Sequence, residues 1–125
     1  MKRTFIYMII ATVGVCLSVL SCANSVEYKT VNVQEFKTVL QEEGMQLLDA
    51  RTIEEYNEGH IDCAVQISVK DADFEARALE TFDKNRPVAV YCRSGRRSAK
   101  ASEILTKAGF KVINLDGGYE AFIKQ

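Results

Sequence analysis

The chain has 125 residues, enough for one domain, and its 47% apolar share is ordinary for a globular protein, although the amino terminus raises it. A net charge of −1, with a basic cluster of only three arginines, gives no nucleic-acid footprint. Four cysteines (16, 22, 63 and 92) form no C-x-x-C pair, and with one histidine they offer no Cys/His zinc site, so neither metal nor cofactor is expected.

The chain opens as a targeting segment. Lys2 and Arg3 precede an apolar run over residues 5–20, and Ser21 supplies the small residue before a cut, the pattern of a secretory signal over residues 1–21. Cys22 directly after it resembles the modified cysteine of a bacterial lipoprotein, with cleavage after Ser21 and a lipid on the Cys22 thiol. Plain secretion or an uncleaved anchor are the alternatives, and the run is short of the roughly 20 residues that span a bilayer comfortably. Each version places the domain outside the cytoplasm, in the bacterial periplasm or cell envelope, lipid-anchored if Cys22 is acylated. Removal of residues 1–21 takes away Lys2 and Arg3 and leaves 14 basic against 17 acidic side chains, a net −3. Residues 22–27 form a short polar tether.

The domain, residues 28–125, alternates strands and helices. Residues 28–31 predict a first strand. Asn32, with Glu35 three residues on, opens a helix whose face is Val33, Phe36, Val39 and Leu40, and Gly44 stops it. Residues 45–48 predict a buried strand ending on Asp49-Ala50-Arg51. Thr52 and Glu55 form a second capping-box pair on a short helix closed by Gly59. Residues 64–67 predict another strand. Asp71 or Asp73 opens a helix with Phe74, Ala78, Leu79 and Phe82 on one face. Residues 88–91 predict a central buried strand and residues 99–108 a helix burying Ala101, Ile104, Leu105 and Ala108. Residues 112–115 give a last strand, and Asp116-Gly117-Gly118 turns into a final helix over 119–123. Short apolar strands alternating with helices imply an α/β fold, a mainly parallel sheet with helices on both faces. Functional loops in such sheets gather at the carboxyl ends of the strands.

One loop stands out there: Cys92-Arg93-Ser94-Gly95-Arg96-Arg97-Ser98. A cysteine leaves a strand and the chain curls through a glycine turn into a helix N-terminus, an arrangement that collects anions. A thiolate can itself be that anion, so the loop proposes a nucleophilic cysteine in a pocket favouring negative charge. Cations at a helix start are unfavourable, and three arginines there point to an offsetting anion.

The blocks Asp49-Ala50-Arg51, Glu55-Tyr56, Gly59-His60-Ile61, Tyr91 to Ser98 and Leu115-Asp116-Gly117-Gly118 match, in order and spacing, a single-domain rhodanese. The resemblance implies a sulfurtransferase. Cys92 would attack a sulfane donor such as thiosulfate, become a persulfide and pass the sulfur to a thiophilic acceptor. The backbone from Arg93 through Ser94, Gly95, Arg96 and Arg97 to Ser98 would cradle the charge. Any of the three arginines could draw in a small anionic donor. Asp49, Arg51, His60, Gly117 and Gly118 would support the pocket. After Gly59-His60-Ile61 the chain departs from the family: Cys63 stands for a glycine, Gln66 for an asparagine and Ser68 for a proline. Cys63 has two readings, a small packing residue or a thiol that resolves Cys92 by a disulfide or by taking its sulfur.

Three other functions bear on the same loop. A cysteine phosphatase needs an arginine six positions after the cysteine to hold phosphate bidentately, where this chain has Ser98. A non-catalytic binding module of the same fold would not need Cys92. A thiol redox protein would use Cys92 with Cys63.

Overall fold

A computed structural model describes residues 27–125; the signal segment and Cys22 lie outside the described residues. Among the described residues, five strands form a wholly parallel sheet in the order β1-β5-β4-β2-β3, and five helices cover it. The strands are β1 (Lys29–Val31), β2 (Gln46–Asp49), β3 (Val65–Gln66), β4 (Val88–Tyr91) and β5 (Val112–Leu115). The helices are α1 (Val33–Leu40), α2 (Ile53–Glu58), α3 (Phe74–Thr81), α4 (Arg96–Lys107) and α5 (Gly118–Ile123).

Central β4 is buried at all four positions, so its alternate side chains feed two separate cores. Val88 and Val90 pack with Leu48, Phe74, Ala78 and Leu105 under α3 and α4. Ala89 and Tyr91 pack with Phe36, Leu47 and Leu115 under α1, with Tyr119 and Phe122 of α5 against them. This two-sided burial explains why the strands read as unbroken apolar runs.

The capping signals act only in part as the sequence predicts, and Asp73 stands at the cap of α3 without a side-chain cap hydrogen bond. Thr52 and Glu55 make the full reciprocal box at the start of α2. Asn32 accepts from the Glu35 N–H at 2.9 Å, but the Glu35 carboxylate takes the Lys29 ammonium at 2.7 Å instead of reaching back to the cap. Three helix-face expectations are corrected. Leu79 is 42% exposed, and only Phe74, Ala78 and Phe82 of its expected face are buried. Ile104 and Ala108 are partly buried, and α4 instead buries Ser98 and Ser102 beside Ala101 and Leu105.

The difference that matters for the site is the start of α4. The helix begins at Arg96, three residues before the predicted start, with Gly95 as its cap in the left-handed region at φ 109°. Only glycine enters that region without steric cost. Arg96, Arg97 and Ser98 therefore belong to the first helical turn.

Candidate active site

The carboxyl ends of β2, β4 and β5 meet at one edge of the sheet. Cys92 leaves β4 there, 1% exposed. Its Sγ accepts from the Gly95 N–H at 3.1 Å, a contact that strengthens when the sulfur carries charge. The thiol donates to Ser98 Oγ at 3.3 Å, and the Ser98 hydroxyl donates to the Gly95 carbonyl at 3.2 Å. The first-turn N–H groups of α4 have no carbonyl one turn earlier to bond and stay available to an anion at this end of the helix.

The loop after β5 fixes the other side of this turn. The N–H of Tyr119 donates to the Cys92 carbonyl at 2.7 Å, and that of Glu120 to the Arg93 carbonyl at 3.1 Å. A Cβ on Gly118 would sit 2.5 Å from the Arg93 carbonyl oxygen and 2.6 Å from that of Cys92. Gly118 is thus the contact that lets α5 cap the cysteine loop, and φ of 62° adds a second reason for glycine.

Beneath the loop lies a buried polar network. Asp49 and Arg51 pair through contacts of 2.7 to 3.1 Å, both nearly inaccessible. The Tyr91 hydroxyl donates to Asp49 at 2.7 Å and accepts from the Ile61 N–H at 3.1 Å. Arg51 also donates to the Gly59 carbonyl at 2.7 Å, and its guanidinium lies 4.4 Å from the Tyr119 ring centroid. Burial opposes the Arg51 charge, but the hydrogen bonds and field of Asp49 outweigh it and hold its pKa above the ordinary value. Burial, with the Asp49 charge adding, pushes the Tyr91 phenol well above its ordinary range, so it remains a donor. The network ties the end of β2 to β4, to the Gly59 turn and to α5.

The three arginines divide. Arg97 is held by Glu55 through bonds of 2.6 and 2.8 Å. That bond raises its pKa, burial opposes, and the nearby Cys92 adds to the rise. Arg93 pairs with Glu120 at 2.9 Å on the surface. Arg96 is exposed and, among the described residues, has no charged partner. A cavity of about 300 Å³ opens between α2 and α5, lined among others by Arg51, Glu58, Arg93, Tyr119, Glu120 and Ile123.

Two predicted site residues stand apart. His60 stacks on Tyr56 with centroids 3.7 Å apart, and its Nδ1 lies 2.9 Å from the Tyr56 carbonyl oxygen, an exposed clasp at the end of α2. Cys63 does not approach Cys92. It precedes β3, at the amino ends of the strands, whereas Cys92 follows β4 at the carboxyl ends. Strand rise and spacing put roughly 15 Å between them, beyond the limit of about 7 Å between Cα atoms for a disulfide. The expectation of a resolving thiol is corrected accordingly. Cys63 is exposed with φ of 68°, a conformation suited to the glycine it replaces. Gln66, the other departure, donates to the Arg51 carbonyl at 2.7 Å and so serves the site.

Four residues serve the site beyond what the sequence assigns them: Tyr91 and Glu55, which stand in matching blocks without a stated partner, Tyr119, a residue of the last helix, and Gln66, a departure. Nothing local marks the bond of Tyr91 to Asp49 or that of Glu55 to Arg97, each spanning 42 residues of the chain.

The pattern of the rhodanese-like domain matches residues 32–125. The chain belongs to the rhodanese-like family. It is 33% identical over 118 residues to thiosulfate sulfurtransferase 18 of Arabidopsis thaliana, covering 85% of this chain and 86% of that one. It is 35% identical over 97 residues to the putative sulfurtransferase YtwF of Bacillus subtilis, covering 77% and 91%. Among solved structures, a rhodanese-like domain protein from Staphylococcus aureus superposes with a TM-score of 0.67 at 34% identity, over 75% of this chain and 90% of that one. The solution structure of a rhodanese-like domain from Anabaena gives 0.69 at 29% identity, over 78% and 75%.

Proposed function

We propose that this rhodanese-like protein is a sulfurtransferase working through a persulfide on Cys92. The observation that carries the reading is the Cys92 sulfur, 3.1 Å from the Gly95 N–H at the start of α4. The names of the relatives, thiosulfate sulfurtransferase among them, support the same reaction class. The Cys92 thiolate attacks the sulfane sulfur of a donor such as thiosulfate. Its S–S bond breaks and sulfite leaves with the electron pair. The terminal sulfur then carries the negative charge that the loop donors and helix dipole stabilise. A thiophilic acceptor attacks that sulfur, and Cys92 departs as thiolate. No separate general base is needed when the nucleophile enters ionised.

Within this reading Arg96, without an ion-pair partner among the described residues, is the arginine free to attract the donor. Arg93 and Arg97 hold the loop through Glu120 and Glu55. Ser94, Gly95 and Ser98 shape the cradle, and Asp49 and Arg51 hold it from below. Residues 1–21 act as a signal and Cys22 carries the lipid anchor, so the reaction runs in the cell envelope. Loss of fatty-acid labelling and of membrane fractionation in Cys22→Ser tests that part; labelling unaffected by the change contradicts it.

Turnover tests the chemistry. With thiosulfate and cyanide the protein is expected to form thiocyanate, and Cys92→Ser to form none. Equal rates for the two proteins would overturn the assignment.

A further inference from the structure

The cavity between α2 and α5 has no part in the reaction above. Its charges are mostly cancelled: Arg51 by Asp49, Arg93 by Glu120, and Glu55 by Arg97. Glu58 is the exception. It lines the cavity and has no hydrogen-bond or ion-pair partner among the described residues. On the α5 side, Ile123 is 60% exposed. An anion-collecting loop is thus bordered by a groove with one uncancelled negative charge and an open aliphatic wall. A small anionic donor gains nothing from either feature. The groove, about 300 Å³, has room for a long side chain.

We infer that the sulfur acceptor is a cysteine within a polypeptide, and that this groove receives a lysine or arginine side chain close to it in sequence. The inference rests on the Cys92 persulfide reading. The cationic head would pair with Glu58 while its methylene stem lies along Ile123 and the Tyr119 ring. Cys92 is 1% exposed, and a persulfide carries the outer sulfur about 2.05 Å beyond Sγ. The acceptor thiolate attacks this outer sulfur, the bond to Cys92 breaks, and Cys92 leaves as thiolate. The peptide keeps the persulfide, and neither oxidant nor reductant is consumed.

The test uses the full chain loaded with thiosulfate and a set of single-cysteine peptides. Each carries lysine, glutamine or glutamate at one position within four residues of the cysteine. Lysine peptides at the best position are expected to exceed glutamate peptides in kcat/KM about fivefold or more at low salt, with the advantage shrinking as salt rises. Glu58→Lys is expected to invert that order while Cys92 still takes up sulfur from thiosulfate. A flat ranking, or one that Glu58→Lys does not move, overturns the inference. A chain that accepts no sulfur from thiosulfate or other sulfane donors overturns the underlying reading instead.

Discussion

Glu55 on α2 and Arg97 on the first turn of α4 form a two-bond ion pair across 42 residues of sequence. A cation at a helix start is unfavourable, and this carboxylate offsets it. The same Glu55 closes the α2 capping box, so one side chain fixes two helices around the loop. The Arg97 hydrogen bond brings the Glu55 carboxyl down to about 2 from 4.5. A depressed carboxyl stabilises the fold fully above the unfolded value and loses that contribution as pH falls through the folded one. Wild type is therefore expected to exceed Glu55→Gln by about 1 kcal/mol, solvent screening included, above pH 4.5. The gap should close toward pH 2. Denaturant titrations across that range measure it, and a gap constant down to pH 2 contradicts the role given to the pair.

Gly118 is expected to tolerate no side chain. A Cβ would lie 2.5 Å from backbone of Arg93, which cannot swing aside as a flexible side chain could. Gly118→Ala should cost about 2 kcal/mol or more. It should also lower turnover, because α5 would no longer hold the Cys92 and Arg93 carbonyls. Denaturation and thiocyanate assays on the same preparation check both. A neutral substitution would mean that this contact does not set the loop.

Tyr91→Phe removes the hydroxyl that serves Asp49 and the Ile61 N–H, both buried. Unsatisfied buried groups cost about 1–3 kcal/mol, and a fall in stability of that size is expected. Combined with Asp49→Asn, the losses should be well short of additive, since the two changes disrupt one network. A double-mutant cycle supplies the number, and full additivity would separate Tyr91 from Asp49.

Much of this arrangement is legible before any coordinates. The parallel α/β fold follows from short apolar runs between capped helices, and Thr52 with Glu55 behaves as its spacing says. The loop stands out because Cys92, Gly95 and the arginines combine at a strand-to-helix turn. What the sequence hides is partnership. Three clustered arginines suggest a waiting ligand, but two of them are answered by Glu55 and Glu120 from distant segments. Asp49 reads as the residue after a strand, whereas it lies within β2 opposite Tyr91, because Arg51 makes burial of its charge tolerable. The separation of Cys63 from Cys92 depends on which end of each strand they occupy, which only the sheet order reveals.

Cys63 lends itself to a stabilising change. A β-carbon at φ of 68° costs about 1–2 kcal/mol, and the greater unfolded-state freedom of glycine returns part of that. Cys63→Gly should raise stability by about 0.5–1 kcal/mol and leave sulfur loading at Cys92 intact. Denaturant midpoints and loading rates decide it. Loss of loading in this variant would restore a partnership between the two thiols.

The most direct measurement is the mass of the protein after a single exposure to thiosulfate, followed by peptide mapping. The account predicts one added sulfur atom, located on Cys92, removed by cyanide and absent in Cys92→Ser. A protein that gains no sulfur from thiosulfate or other sulfane donors, or gains it on Cys63, would contradict the account.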